Sequence, residues 1–298
     1  MTSQPRHTDP LPLGGDGVPY SKGLMARSLT AVGVPTMRAH DLARRVEEDL
    51  RARGETVADL DRIEELAEDD AAMGRLRRYF ALRELDLPVI VLLGGATGTG
   101  KSTVATELAY RLGITRVTST DFIRQTMRAF FSRDFMPSIH YSSFEAGEAL
   151  REPEEADDPA IAGFLDQSRN VLAGVQASLE RALEEGWSMV LEGVHLVPGL
   201  FNPPLEAEQA VVARCILEIS DPAVHETHFY VRDASSDGVR PVARYLDRFD
   251  EIRRIQDELV SRARREGVPV IESANVDEAV MRTLDLVLAG AEQVERVP

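Results

Sequence analysis

Residues 95–102, GATGTGKS, have the types and spacing that suit the binding of phosphate groups. They fit the pattern G-x-x-x-x-G-K-[ST], in which glycines let successive backbone N–H groups converge on the phosphates of a nucleotide at the start of a helix. In such a loop Lys101 bridges the β- and γ-phosphates, and the hydroxyl of Ser102 binds Mg²⁺. The predicted nucleotide-binding residues are Gly95, Ala96, Thr97, Gly98, Thr99, Gly100, Lys101, Ser102 and Thr103.

Lysine usage supports a functional loop. Lysine occurs only at Lys22 and Lys101, although the chain has 34 lysines and arginines in total. The planar guanidinium of arginine is a poor substitute for a compact ammonium threaded into such a loop. Lysine at position 101 therefore favours a phosphate-binding role over the alternative, a glycine-rich turn without a ligand.

The segment TSTDFIRQTMR offers an acceptor site at the end of a second predicted strand. Ligands of an open α/β sheet lie beyond the carboxyl ends of its strands, so Asp121 is predicted to face the γ-phosphate. Arg124 would share its helix face. The carboxylate can receive or orient a hydroxyl proton, and the guanidinium can clamp an anionic substrate. The alternative is that Asp121 only caps the helix and Arg124 is a solvated charge.

Glu192 and His195 follow a third apolar strand in SMVLEGVHLVPG. Because neighbouring strands end close together in this type of sheet, the Glu192 carboxylate is predicted to hold magnesium through water or to act as a base. A structural loop acid is the alternative. For His195, a packing role is at least as plausible as a contact with the substrate phosphate.

An arginine-rich segment begins soon after the fourth predicted strand, at HETHFYVRDASSDGVRPVARYLDRF. It is predicted to form a lid that closes over phosphates and excludes water. His225 and His228 have i,i+3 spacing, but no third ligand completes a zinc set, so a structural metal is rejected. The predicted lid arginines are Arg232, Arg240, Arg244 and Arg248.

The elements that would position these residues alternate between strands and helices. Short apolar runs such as LPVIVLLGG and AVVARCILEI are typical of buried strands, and runs such as 160–186 have helical spacing. This order predicts an α/β fold with an open parallel sheet and helices on both sides. The predicted organisation is a disordered tail over 1–17, a small helical domain over 18–86 and the α/β domain over 87–298.

Composition restricts the partners. The net charge of −16 and the sequence pI of about 4.9 disfavour nucleic acid and anionic lipid. The single cysteine, Cys215, excludes an intramolecular disulfide and indicates a reducing compartment. No run is long enough to cross a membrane, and the first residues lack the apolar core of a signal peptide. We expect a cytoplasmic protein, with a homo-oligomer left open.

The combination of GGATGTGKST, TSTDFIRQTMR, LEGVHLVPG and HFYVR resembles the 2-phosphoglycerate kinases over most of the chain. The resemblance implies a P-loop kinase that uses ATP and Mg²⁺ to phosphorylate a small anionic metabolite, most readily 2-phosphoglycerate to 2,3-bisphosphoglycerate. Another phosphorylated polyol, such as an inositol phosphate, stays open as the acceptor. A nucleotide-dependent regulatory ATPase or a sensory module without chemistry are further alternatives, although the guanine-reading motif of GTPases is absent.

The helical N-terminal domain resembles an ATP-cone through VPYSKGLMARSLTAVGV and AHDLARRVEEDL. That resemblance implies regulatory ATP binding at Lys22 and nearby residues. The alternative is that the domain only packs on the kinase domain.

Overall fold

The structure, a computed structural model, describes residues 12–14, 19–67, 70–85, 87–201, 209–235 and 242–295. The side chains at positions 70, 232–235 and 295 are outside this description. Most of the predicted tail over 1–17 also lies outside the described residues, so its prediction is not addressed.

Parallel strands and helices alternate after residue 87, as the sequence predicts. The strands are β1 Val89–Gly95, β2 Val117–Ser119, β3 Met189–Gly193, β4 Val211–Glu218 and β5 Val270–Glu272. The helices are α1 Lys22–Ala31, α2 Thr36–Arg53, α3 Leu60–Leu66, α4 Asp70–Glu84, α5 Lys101–Leu112, α6 Thr120–Phe130, α7 Pro159–Glu184, α8 Pro222–Ser235, α9 Val242–Leu246, α10 Phe249–Arg265 and α11 Val276–Glu295. Between α6 and α7 lie three 3₁₀ turns, Pro137–His140, Ser143–Ala149 and Pro153–Glu155.

The strands form one parallel sheet in the order β2-β3-β1-β4-β5 within the described part of the chain. The central strand β1 is buried along its whole length, and its side chains alternate between two apolar clusters. Val91 and Leu93 pack with α5 and α11, whereas Ile90 and Leu92 pack with α6 and α7. This alternation places helices on both faces and confirms the predicted α/β class.

The described residues before 87 form the four helices α1 to α4. Within the acidic run ADLDRIEELAEDDA, α3 ends at Leu66 and α4 begins at Asp70. Ala67 already has an extended backbone. Carboxylates are unfavourable at the negative end of a helix and favourable at its start, so this charge pattern favours a break.

One apolar cluster joins the N-terminal helices to the sheet. Leu29 of α1 and Leu76 of α4 belong to the same buried cluster as Leu108 of α5 and Leu284 of α11. Since that cluster contains residues from both sides, the domain boundary at 86/87 stays a prediction. Across the helices described, none is both long and apolar enough to cross a membrane.

Candidate active site

The glycine-rich loop, hereafter the P-loop, connects the central strand β1 to helix α5. Gly98 and Gly100 have φ angles of +90° and +75°, which side-chain-bearing residues rarely adopt. Within the described part of the chain, the N–H groups of Gly98, Gly100 and Lys101 have no hydrogen-bond acceptor. Free amides at the positive end of a helix form an anion site, so the loop has the geometry that phosphate binding requires.

Lys101 occupies the first position of α5, with its ammonium turned back over the loop. Its Nζ donates a hydrogen bond to Ala96 O at 2.6 Å. Burial lowers the pKa of Lys101 from its ordinary value, and the negative charges of Glu192 and Asp121 oppose that shift. Both predicted carboxylates therefore act electrostatically on the lysine that is predicted to hold the donor phosphates.

Ser102 and Glu192 meet across adjacent elements. The Ser102 hydroxyl donates to Glu192 Oε1 at 2.8 Å. Glu192 lies near the end of β3, where it pairs in register with Leu93 of β1 and Ser119 of β2. Both residues are predicted from the sequence to bind magnesium, and the structure brings their oxygens together.

The donor set at this point fits Mg²⁺. Hydroxyl and carboxylate oxygens are ligands that Mg²⁺ prefers, and Mg²⁺ usually takes its remaining ligands from phosphates and water rather than from a protein cage. Among the described residues, no group of three or more histidine, cysteine or acidic side chains could hold a metal ion. The pair Ser102 and Glu192 beside a phosphate loop matches the sparse protein contribution that Mg²⁺ requires.

Asp121 is exposed at the start of α6, next to the end of β2. Ser119 caps this helix by accepting a hydrogen bond from Phe122 N, so the alternative reading of Asp121 as the cap is wrong. Arg124 Nε and Nη2 both donate to Asp121 Oδ1, at 3.0 and 2.7 Å. Oδ2 has no partner among the described residues and remains available for a hydroxyl proton.

The predicted role of Arg124 as a clamp on the substrate needs correction. Its side chain is only 6% exposed, whereas that of Asp121 is 64% exposed. Arg124 Nη1 donates to Ile139 O and Tyr141 O, both at 2.7 Å. The guanidinium is thus neither solvated nor presented to a ligand: it ties Asp121 to the first 3₁₀ turn.

His195 is also buried, and the geometry supports the packing alternative over the predicted phosphate contact. Gln167 Nε2 donates to Ser138 O and Tyr141 O, which leaves Gln167 Oε1 as the acceptor for His195 Nε2 at 2.9 Å. His195 Nδ1 therefore accepts from the Thr120 hydroxyl at 2.7 Å. Burial lowers the pKa of His195 to about 3, so the ring stays neutral.

Two of the predicted lid arginines lie in ion pairs. Arg244 of α9 contacts both carboxylate oxygens of Glu145, at 3.0 and 2.6 Å, and Arg248 lies 2.5 Å from Glu148. Both acids belong to the second 3₁₀ turn. Arg240 and the side chain of Arg232 fall outside the described residues, so these two predictions are not addressed.

Comparison with known proteins identifies the family. The 2-phosphoglycerate kinase of Methanothermobacter thermautotrophicus is 41% identical over 280 residues, which cover 91% of this chain and 89% of that protein. The 2-phosphoglycerate kinase of Methanopyrus kandleri is 38% identical over 269 residues, covering 88% and 82%. The chain belongs to the 2-phosphoglycerate kinase family.

Two other comparisons add nothing to the family assignment. No protein-family model matches the chain. A solved shikimate kinase from Bacteroides thetaiotaomicron covers 67% of this chain and 98% of its own length at 17% identity. Its TM-score of 0.38 is too low to carry an argument.

In this member of the 2-phosphoglycerate kinase family, sequence reasoning missed a set of contacts on the P-loop. Three side chains from α8 and from the end of β5 reach successive loop carbonyls, and we call them the carbonyl brace. The contacts are His225 Nε2 to Thr97 O at 2.8 Å, His228 Nδ1 to Gly98 O at 3.0 Å and Ser273 Oγ to Thr99 O at 2.9 Å. The available signal was the i,i+3 histidine pair on the helix after β4, since β4 adjoins β1.

Proposed function

We propose that this chain transfers the γ-phosphate of ATP to 2-phosphoglycerate, giving 2,3-bisphosphoglycerate and ADP. The observation that carries the proposal is the Ser102–Glu192 contact beside Lys101, in a chain of the 2-phosphoglycerate kinase family. The free P-loop amides support it, because they suit the donor phosphates. The small acceptor would bind between α6 and the 3₁₀ turns, where Asp121 is exposed.

In the proposed step, Asp121 orients the acceptor hydroxyl. The hydroxyl oxygen attacks the γ-phosphorus, the bond from that phosphorus to the bridging β,γ-oxygen breaks, and ADP leaves with the bond electrons. The hydroxyl proton passes to Asp121 Oδ2, the oxygen that Arg124 leaves free. Arg124 holds the carboxylate in one orientation, so its contribution is to positioning.

Lys101 and the loop amides would hold the donor phosphates during transfer. Lys101 Nζ would exchange Ala96 O for phosphate oxygens, and the incoming negative charge would stabilise its protonated form. Ser102 and Glu192 would hold Mg²⁺, which supplies charge neutralisation for the β- and γ-phosphates when bound. Nothing in this scheme uses a membrane or nucleic acid, and we keep the cytoplasm as the proposed location.

The proposal is tested by phosphate transfer from labelled ATP with magnesium to 2-phosphoglycerate, 3-phosphoglycerate, glycerate and inositol phosphates. Lys101→Ala serves as the blank, because removing the ammonium should lower turnover by at least about a hundredfold. The control is Arg282→Ala, which removes a cation held in an exposed pair with Glu278 of α11. We expect that control to transfer phosphate at the wild-type rate.

Each outcome of this panel has a defined meaning. Labelled bisphosphoglycerate formed from 2-phosphoglycerate in preference to the other acceptors supports the proposal. A preference for an inositol phosphate would keep the kinase and replace the acceptor. Nucleotide hydrolysis without transfer to any acceptor, stimulated by a protein, would favour the regulatory ATPase.

A further inference from the structure

The carbonyl brace fixes the direction of consecutive peptide units in the P-loop. In a planar trans peptide, the C=O and the following N–H point in opposite directions. When His225 holds Thr97 O, the N–H of Gly98 points away from α8. When Ser273 holds Thr99 O, the N–H of Gly100 points away from the end of β5. His228 holds Gly98 O, and the N–H that follows, that of Thr99, donates to Ala96 O at 3.4 Å inside the loop. The N–H groups of Gly98 and Gly100, like that of Lys101, have no hydrogen-bond acceptor in the described part of the chain.

The proton positions on the two histidines follow from their partners. A carbonyl oxygen only accepts, so His225 carries its proton on Nε2 and His228 on Nδ1. Arg253 Nη1 lies 3.4 Å from His225 Nδ1, and this donor also keeps Nδ1 unprotonated. Burial lowers the pKa of His225 to about 4, which agrees with a neutral ring. The two histidines therefore use different ring nitrogens for the same task.

Aromatic packing holds the brace in place. The His225 ring stacks on Phe229, with centroids 5.4 Å apart, and meets the edge of Phe249 at 5.5 Å. Phe229 also packs closely against the loop: a Cβ atom added to Gly98 would come within 2.5 Å of the Phe229 ring. Helix α8 thus contacts the P-loop at two carbonyls and beside the α-carbon of Gly98, and the His225 ring is packed between two aromatic rings.

We propose that His225 and His228 are positioning residues for the donor nucleotide: His225 holds Thr97 O outward so that the Gly98 amide faces the phosphates, and His228 holds Gly98 O and with it the turn in which Thr99 N donates to Ala96 O. This rests on the proposed role of the loop in binding ATP. Neither histidine touches the nucleotide in this scheme. Their contribution is to keep the amides oriented before the nucleotide binds, which lowers the cost of ordering the loop.

The different ring nitrogens allow a crossed substitution test. The amide nitrogen of glutamine lies at the same number of bonds from Cβ as His Nε2, and that of asparagine at the same number as His Nδ1. His225→Gln and His228→Asn should keep ATP·Mg affinity within about threefold of wild type, whereas His225→Asn and His228→Gln should weaken it by about tenfold. Isothermal titration with ATP·Mg measures this without an acceptor, and His40→Gln, on an exposed ring, is the control.

Steady-state kinetics on the same variants separate positioning from general damage. The two mismatched variants should raise the KM for ATP about tenfold and leave the KM for the acceptor unchanged. Ser273→Ala, a small change at the third contact, should also raise the KM for ATP and provides a second measurement if a histidine variant fails to fold. Two results would overturn the proposal. One is an equal affinity for ATP·Mg in all four histidine variants. The other is a loss of affinity that tracks the melting temperature of each variant and not the position of the amide nitrogen that replaces the ring nitrogen.

The outcome is independent of the acceptor. If the chain binds ATP but transfers no phosphate to 2-phosphoglycerate, the proposed function fails. The difference in ATP·Mg affinity between the matched and the mismatched histidine variants, here called the crossed pattern, still tests the carbonyl brace. If transfer occurs and the crossed pattern is missing, the proposed function stands and the brace is rejected.

Discussion

At the scale of single residues, the geometry of Asp121 and Arg124 suits two different tasks in the proposed acceptor site. The exposed carboxylate has one oxygen held by the buried guanidinium and one oxygen free. A carboxylate fixed in this way loses little freedom when it accepts a proton. In the proposed transfer, the chemical task therefore falls to Asp121, and Arg124 would keep the carboxylate in the orientation that this task needs.

Replacing Asp121 with Asn tests this division. The amide keeps the size of the side chain but cannot take up a proton, so we expect kcat to fall by about 10²- to 10⁴-fold, with the KM for ATP within about threefold of wild type. Asp277→Asn is the matched control, because Asp277 is the second residue of α11 as Asp121 is of α6. Near-normal turnover by Asp121→Asn, measured in the steady state, would show that the proposed acceptor role is wrong.

From the sequence, the meeting of Ser102 and Glu192 was predictable, whereas the burial of Arg124 was not. Ser102 and Glu192 were expected to share one ion, and they are in contact, because the P-loop pattern and the strand end each fix a position along the sheet edge. Arg124 was expected to face the substrate, yet its donors go to the carbonyls of Ile139 and Tyr141. Ile139 lies in a 3₁₀ turn and Tyr141 directly follows it, and no periodicity in the sequence reveals this turn.

At the scale of elements, the sheet was predictable because buried parallel strands have continuous apolar sequences. Strand β1, for example, lies within the predicted run LPVIVLLGG. The contact of α8 with the P-loop was not predictable in the same way. It depends on β4 lying beside β1, which is a property of strand order that hydropathy does not encode.

Helix α9 and the second 3₁₀ turn offer a prediction about the lid. If Arg244 leaves Glu145 to bind phosphate, Arg244→Gln should lower kcat/KM by about ten- to a hundredfold, since a charge-assisted contact is lost. Glu145→Gln breaks the same ion pair but keeps the arginine, so it should change kcat/KM by less than about threefold. Equal effects of the two substitutions in steady-state assays would indicate that the ion pair is only structural.

At the scale of the whole molecule, the N-terminal helices share an apolar cluster with the sheet. Leu76 of α4 is 1% exposed within that cluster, so Leu76→Ala should lower the free energy of unfolding by about 2–5 kcal/mol. We expect one transition, shifted equally when followed by circular dichroism and by loss of ATP binding. The control is Met37→Ala, at an 88% exposed residue, with an expected change below about 0.5 kcal/mol.

Two separate transitions in the Leu76→Ala variant would contradict this prediction. They would mean that residues before 87 unfold on their own, as an independent regulatory module would. A single transition agrees with packing on the kinase domain, the alternative that the sequence left open. The ion pair of Arg75 with Asp285 of α11, at 2.8 Å, also links the two parts.

Buried neutral histidines make the stability of the whole molecule depend on pH. Burial lowers the pKa of His225 from 6.5 to about 4, so between these values the unfolded chain binds a proton that the folded chain does not. The free energy of unfolding should therefore fall as the pH falls through this window, by up to about 1.4 kcal/mol per pH unit for this residue.

The substitution His225→Gln removes the titrating group and tests this effect. The free energy of unfolding, measured with denaturant between pH 6.5 and 5, where few carboxylates titrate, should depend less steeply on pH in this variant than in the wild type. His40→Gln, at an exposed histidine, should keep the wild-type slope, and equal slopes for all three proteins would show that His225 does not stay neutral in the folded state.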